Sequence, residues 1–118
     1  MDKNIFSSFD LGWIVGILEA DGCFTSTCTY VRKDGSSRRL PKVVVSMTDL
    51  DTVERFAQVL GFNRVTGPYQ GRLSTKPTYS WAVTGQKAID FMDVVKPYMS
   101  NRRFCRIEEL QTDWRNSQ

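Results

Sequence analysis

Ile14-Val15-Gly16-Ile17-Leu18-Glu19-Ala20-Asp21-Gly22 is an apolar, helix-like run that closes on two carboxylates and a glycine. Helix stability alone does not put those charges there. Unpaired carbonyls give a helix C-terminus partial negative charge, so Lys or Arg is favoured in the last turn and each acidic group costs roughly 0.3–1 kcal/mol. Glu19 and Asp21 break that rule. Carboxylates beside exposed carbonyls do suit a hard divalent cation. Gly22 is expected to stop the helix by entering the left-handed region, which only glycine visits without penalty. On a helical wheel Ile14, Ile17 and Leu18 share a core side, and Trp13, Gly16 and Ala20 share another. Small residues four apart let a second helix come very close. That side reads either as close packing on the chain's own sheet or as a self-complementary seam between two copies.

Working outward, Ser8 or Asp10 is expected to cap this first helix. Residues 23–31 are rich in Thr and aromatics and read as a strand; residues 42–48 read as its partner across an Asp34-Gly35-Ser36-Ser37 turn. Asp49 opens a second helix with Leu50, Val53, Phe56, Ala57 and Leu60 on one face, and Gly61 ends it. Residues 63–69 and 78–84 form another strand pair. Gly85 precedes a helix with Ala88, Ile89, Met92 and Val95 on its apolar face, closed by Pro97. A last helix from about Asn101 to Trp114 turns Phe104, Ile107 and Leu110 inward. The order α-β-β-α-β-β-α-α predicts an α+β fold with an antiparallel sheet backed by helices.

The chain has 118 residues, which suits one domain over 1–118. Its longest apolar stretch, near residues 11–18, is short of the roughly 20 residues that span a bilayer. The start, MDKNIFSSFD, lacks a secretory layout, so an intracellular protein is expected, cytoplasmic or organellar. The absence of histidine excludes His-based nucleophile activation and the common zinc sites. Cys23, Cys28 and Cys105, odd in number, argue against a disulfide framework and are expected to fill core space. The net charge of +3 is mild, but Arg32, Lys33, Arg38, Arg39 and Lys42 stand against Asp34 alone, a cluster able to attract phosphates.

Strand alternation sends Phe24, Cys28 and Tyr30 to the covered face and Thr25, Thr27, Thr29 and Lys33 to the open one. In the second strand Val43, Val45 and Met47 face in, leaving Lys42, Val44 and Ser46 open. Arg64, Thr66, Tyr69, Arg72, Lys76 and Ser80 are further candidates for that face and its rim. Hydroxyls and bases on a strand surface suit DNA base edges and phosphates, and strands fit the major groove.

The nine-residue run resembles the signature of the LAGLIDADG homing endonucleases, with small Gly16 and Ala20 and the acidic-Ala-Asp-Gly ending. It departs at Val15 and Glu19, where the family usually has alanine and a first aspartate. The element order matches the family core as well. The resemblance implies an αββαββα domain with a saddle-shaped sheet that lies along a long pseudo-palindromic DNA duplex. One motif implies a homodimer, helix against helix through Trp13, Gly16 and Ala20. It implies an intron-encoded, site-specific double-stranded DNA endonuclease using magnesium, or another divalent ion such as manganese. Asp21 and the Ala20 carbonyl would be its metal ligands. Asp49 matches a polar residue that organises the attacking water, and it also matches a helix N-cap. Lys96-Pro97-Tyr98 resembles a Pro-aromatic stretch that is often followed by an active-site lysine. Arg102 occupies that place, with Arg103 as its neighbour; arginine stabilises phosphate but does not shuttle a proton. On the same scaffold stands a non-cleaving binder, either an RNA maturase or a DNA-binding regulator. A plain helix-backed sheet module is the third reading.

Overall fold

A computed structural model describes residues 6–73 and 76–117, and all their side chains except those of Thr29 and Tyr30. The expected places of Thr29 on the open face and Tyr30 in the core therefore lie outside the described residues. In chain order the elements are α1 (Ser8–Asp21), β1 (Gly22–Val31), β2 (Ser37–Met47), α2 (Leu50–Leu60), β3 (Thr66–Tyr69), β4 (Thr78–Thr84), α3 (Gln86–Val95), a 3-10 turn (Lys96–Tyr98) and α4 (Asn101–Asn116). This is the expected α+β order. The four strands form one antiparallel sheet in the order β1-β2-β4-β3, with β1 and β3 at its edges. Among the described residues, no helix is long and apolar enough to cross a membrane.

By packing, the described residues fall into two compact units, one from 6–23 and 44–82, the other from 24–43 and 83–117. The first unit carries α1, α2 and β3. Its core holds Ile14, Leu18, Val45, Val53, Phe56, Leu60 and Trp81, all buried. Phe56 and Phe62 meet the Trp81 ring edge-on at 5.1 and 5.6 Å, and the indole Nε1 donates to the Phe62 carbonyl at 3.1 Å. That bond lets a large amphipathic ring sit fully buried without an orphaned donor. The second unit carries α3 and α4. Val43, Val83, Phe91, Met92, Ile107 and Leu110 are buried there. Arg106 Nε donates to the Phe24 carbonyl at 3.2 Å, and Lys96 joins Glu108 at 3.0 Å and Gln111 at 3.0 Å. Phe104 is only half-buried, under the Lys96 ammonium at 5.3 Å, rather than in the core.

Local chemistry explains most boundaries. Ser7, one residue before the expected candidates, caps α1: its Oγ accepts from Asp10 N at 3.1 Å. Asp49 caps α2, accepting from Thr52 N at 3.4 Å and Thr52 Oγ1 at 2.9 Å. Gly61 ends α2 as expected, and does so in the left-handed region with φ 79°. The β1–β2 turn is knitted by Asp34 Oδ1, which accepts from Ser36 N at 2.9 Å and Ser36 Oγ at 2.6 Å. These bonds hold the Asp34 carboxyl below the ordinary aspartate range. A depressed carboxyl pKa favours the ordered turn above the ordinary value, and that preference fades as pH falls through the lowered one. Ser36→Ala removes the larger, side-chain bond and keeps the backbone one, so it is expected to raise the Asp34 carboxyl part of the way back, as followed by carboxyl NMR.

Three expectations are corrected. Gly22 does not turn left-handed: at φ −79°, ψ 150° it is extended and already begins β1. Its need for glycine is space, because a Cβ would meet the Leu18 carbonyl oxygen at 2.7 Å and Leu18 Cα at 2.8 Å. Gly22→Ala is therefore expected to cost about 1–3 kcal/mol, the scale of overpacking, in a urea melt. The cysteines do not fill the core; all three are exposed. Cys23 and Cys28 sit on an edge strand, and Cys105 shares its helix side with exposed Glu108 and Glu109. Finally, β2 begins at Ser37, five residues before the apolar run that signalled it. Exposed Ser37, Arg38 and Arg39 extend it by backbone pairing, which hydrophobic alternation does not report.

Candidate active site and nucleic-acid interface

Asp21 is the last residue of α1 and is exposed. Because the chain leaves the helix at Gly22, whose N–H bonds the Leu18 carbonyl, the Ala20 carbonyl has no intrahelical donor ahead of it. An exposed carboxylate thus stands next to a carbonyl oxygen at the helix end. No basic residue occupies the last turn of α1 to offset Glu19 and Asp21. The start of α4 mirrors this imbalance. Its first turn holds Arg102 and Arg103 and no acidic residue, where the helix dipole favours the opposite sign. Arg102 is exposed and Arg103 half-buried. Asp21 and Asp49 belong to the first unit and Arg102 to the second.

Asp49 is exposed, and Thr52 engages both of its carboxylate oxygens. Its capping role is therefore built, and each oxygen keeps a further lone pair for water or phosphate-bound solvent.

Along α1, Ile14 and Leu18 are buried, while Gly12, Gly16 and Ala20 are exposed and Phe9 is 71% exposed. A Cβ added at Gly12 or Gly16 would meet nothing within 4 Å. Trp13 turns the other way. Its ring lies 6.3 Å from Phe56 and under the Arg55 guanidinium at 4.4 Å, so it is half-buried by α2 of its own chain. The exposed strip is therefore Phe9, Gly12, Gly16 and Ala20. Sequence reasoning missed Gly12 and Phe9, although the small-residue spacing 12–16–20 was there to be read. A helix apolar on all sides ordinarily has both sides covered, and α1 is covered on one.

The open face of the sheet in the first unit carries a row of hydroxyls. Ser46 and Ser80 stand opposite buried Val45 and Trp81 in the strand alternation, and their Oγ atoms meet at 2.9 Å. Thr66 pairs in register with Ser80, and its Oγ1 donates to the Ser80 carbonyl at 3.3 Å. Three residues expected on this face are thus brought together on three neighbouring strands. Arg64, Tyr69, Arg72 and Lys76 are exposed. In the second unit, Thr25 follows buried Phe24 and Lys42 separates buried Pro41 and Val43, which places Thr25, Thr27 and Lys42 on the face away from those apolar groups. Lys33 is exposed in the β1–β2 turn.

Arg38 and Arg39 do not join this row. Arg39 donates through Nε and Nη2 to the Oγ and carbonyl of Ser26 at 3.0 and 3.1 Å. The Arg38 guanidinium lies over the Trp114 ring of α4 at 5.0 Å. Both line a concavity beside α4; alternation carried down from buried Val43 and Pro41 puts Arg39 on their side of the strand, whereas Arg38 has the opposite parity.

No group of three or more Asp, Glu, Cys or His side chains gathers among the described residues of one chain. Asp21 and the Ala20 carbonyl supply hard oxygen donors that fit magnesium or manganese.

No family model matches the sequence, and no curated protein matches it. Solved structures do. The homing endonuclease I-CvuI, in complex with a DNA target in the presence of magnesium, superposes with a TM-score of 0.68 at 16% identity, covering 88% of this chain and 64% of its own. The archaeal intron-encoded homing endonuclease I-Vdi141I, complexed with DNA, gives 0.66 at 22%, covering 92% and 70%. The group I intron-encoded I-CeuI, also complexed with DNA, gives 0.63 at 15%, covering 90% and 54%. This chain thus spans roughly half to two-thirds of the length of several proteins it resembles in fold.

Proposed function

From a chain whose fold is that of the LAGLIDADG homing endonucleases, we propose a homodimeric, metal-dependent, site-specific endonuclease that hydrolyses double-stranded DNA. The observation that carries the reading is Asp21: an exposed carboxylate at the end of a helix whose other side is small, apolar and uncovered. Two copies meeting along Gly12, Gly16 and Ala20 would bring two Asp21 carboxylates to one end of the seam. Like charges held close repel unless cations sit between them.

In this reading Asp21 and the Ala20 carbonyl hold a divalent ion, which when bound supplies Lewis acidity toward a phosphodiester oxygen. The chain's own groups do the rest. Asp49, fixed by Thr52, orients a water from its remaining lone pairs. Arg102 contributes fixed positive charge toward the phosphate and, being always protonated, leaves proton transfer to solvent. Ser46, Thr66 and Ser80 address base edges, while Lys33, Arg64, Arg72 and Lys76 set register on phosphates. The DNA complexes of the structural neighbours support the interface.

A non-cleaving binder on the same scaffold remains as a second reading. It is favoured by one feature: an always-charged arginine stands at 102, where a group able to shuttle a proton would serve cleavage. The test is selection from a library of long duplexes with magnesium, followed by sequencing of ends. Cut duplexes with a shared pseudo-palindromic site, lost on chelation, support the endonuclease. Retained but uncut duplexes with magnesium and with manganese support the binder.

A further inference from the structure

We propose that the concavity between the β1–β2 hairpin and α4 is a binding site for a nucleoside phosphate, separate from the open face of the sheet. It encloses about 710 Å³ and is lined by Arg32, Arg38, Arg39, Ser26, Asp113 and Trp114 among others. Three guanidiniums share it with one carboxylate, and none of the three makes an ion pair among the described residues. Gathering three like charges against a single carboxylate leaves an excess of positive charge, and an incoming anion relieves it.

The arginines are held in different ways, and the differences define the ligand. Arg39 is anchored by its two bonds to Ser26, so its fork is fixed with remaining N–H groups to spare. Arg32 belongs to the turn that Ser36 closes, where its backbone N–H reaches the Ser36 carbonyl at 2.7 Å and leaves its side chain exposed. These two suit a phosphate, which guanidinium forks bind with two parallel bonds. Arg38 is different. It lies over Trp114, a residue 9% exposed whose ring is pinned by an Nε1–H bond to Gln86 Oε1 at 2.8 Å. Trp114 thereby takes one face of the Arg38 guanidinium, and Arg38 as a whole is exposed. Bases stack on arginine planes. The volume falls in the range that takes a drug-sized molecule and exceeds what bare phosphate fills. A base on Arg38 with its phosphate on Arg32 and Arg39 satisfies all three, and either a free nucleotide or a single-stranded end presents that unit.

The Trp114 indole proton, fixed by Gln86, is the reporter. The full chain is titrated by NMR with adenosine 5′-monophosphate, with inorganic phosphate and with a five-nucleotide single strand. Saturable shifts of that proton by the mononucleotide or the oligonucleotide are expected, at least about tenfold tighter than by inorganic phosphate. Tighter binding of the oligonucleotide identifies a strand end as the source; equal or weaker binding identifies the free nucleotide. Arg39→Ala should weaken all three probes. Arg38→Lys, which keeps the charge and loses the plane, should bring the mononucleotide down to the affinity of phosphate. The proposal is overturned if no probe moves the Trp114 proton, if phosphate binds as tightly as the mononucleotide, or if Arg38→Lys leaves the base preference intact.

Discussion

Replacing Asp21 with asparagine is expected to remove strand cutting and, at the same time, to stabilise the chain. The two effects have one origin. Asp21 puts negative charge on a helix end that is already partly negative, with no basic residue in the last turn. Asparagine keeps the shape and removes the charge, so folding should gain about 0.3–1 kcal/mol. A group kept at a cost to stability is the pattern of a functional residue. If that group holds the divalent ion, its loss should slow cutting of a selected duplex by about a hundred- to a thousandfold, the scale of one preorganised electrostatic element. Binding of the same duplex should be unchanged or tighter, because a carboxylate near phosphates has gone. A urea melt, a gel-shift titration and a single-turnover cutting assay read the three quantities separately. Cutting at the wild-type rate by Asp21→Asn would falsify the endonuclease mechanism, whatever the melt shows.

The helices and the sheet were legible because their signals are local. Val53, Phe56 and Leu60 recur at helical spacing, and Val43 and Val45 alternate, and both sets are buried. The acidic ending of α1 was legible because it violates a helix rule, and a violated rule points to function. What escaped was set by neighbours distant in sequence. The covered face of Trp13 depends on where α2 lies, and Arg55 and Phe56 then claim it. Cys28 shares strand and parity with buried Phe24 and is nevertheless exposed, so alternation alone does not report how far the cover over β1 extends. Arg38 and Arg39 read as two more cations in a basic loop until Ser26 and Trp114 draw them toward α4. Gly22 was rightly singled out as needing glycine, for the wrong reason: the Leu18 backbone, four residues back, excludes a Cβ that the dihedral angles would accept.

Gly16 separates the two roles that α1 can have. In the isolated chain a Cβ at this position meets nothing within 4 Å and the residue is exposed. A lone chain should therefore gain from Gly16→Ala, by about 0.5–1 kcal/mol, since glycine inside a helix carries the larger entropy cost. A larger side chain should be equally harmless to it. Across a helix–helix seam the logic reverses, because backbones that approach through glycine leave no room for a side chain. Gly16→Glu would also bury a charge in the contact, which costs far more than lost packing. The expected result is a chain with unchanged circular dichroism that sediments as a monomer at micromolar concentration and has lost cutting. Trp13→Phe, by contrast, should lower stability without changing the association state, because that ring packs on Phe56 within its own chain. If the unaltered protein already sediments as a monomer and cuts DNA, the paired-carboxylate centre is wrong and the exposed strip of α1 has another partner.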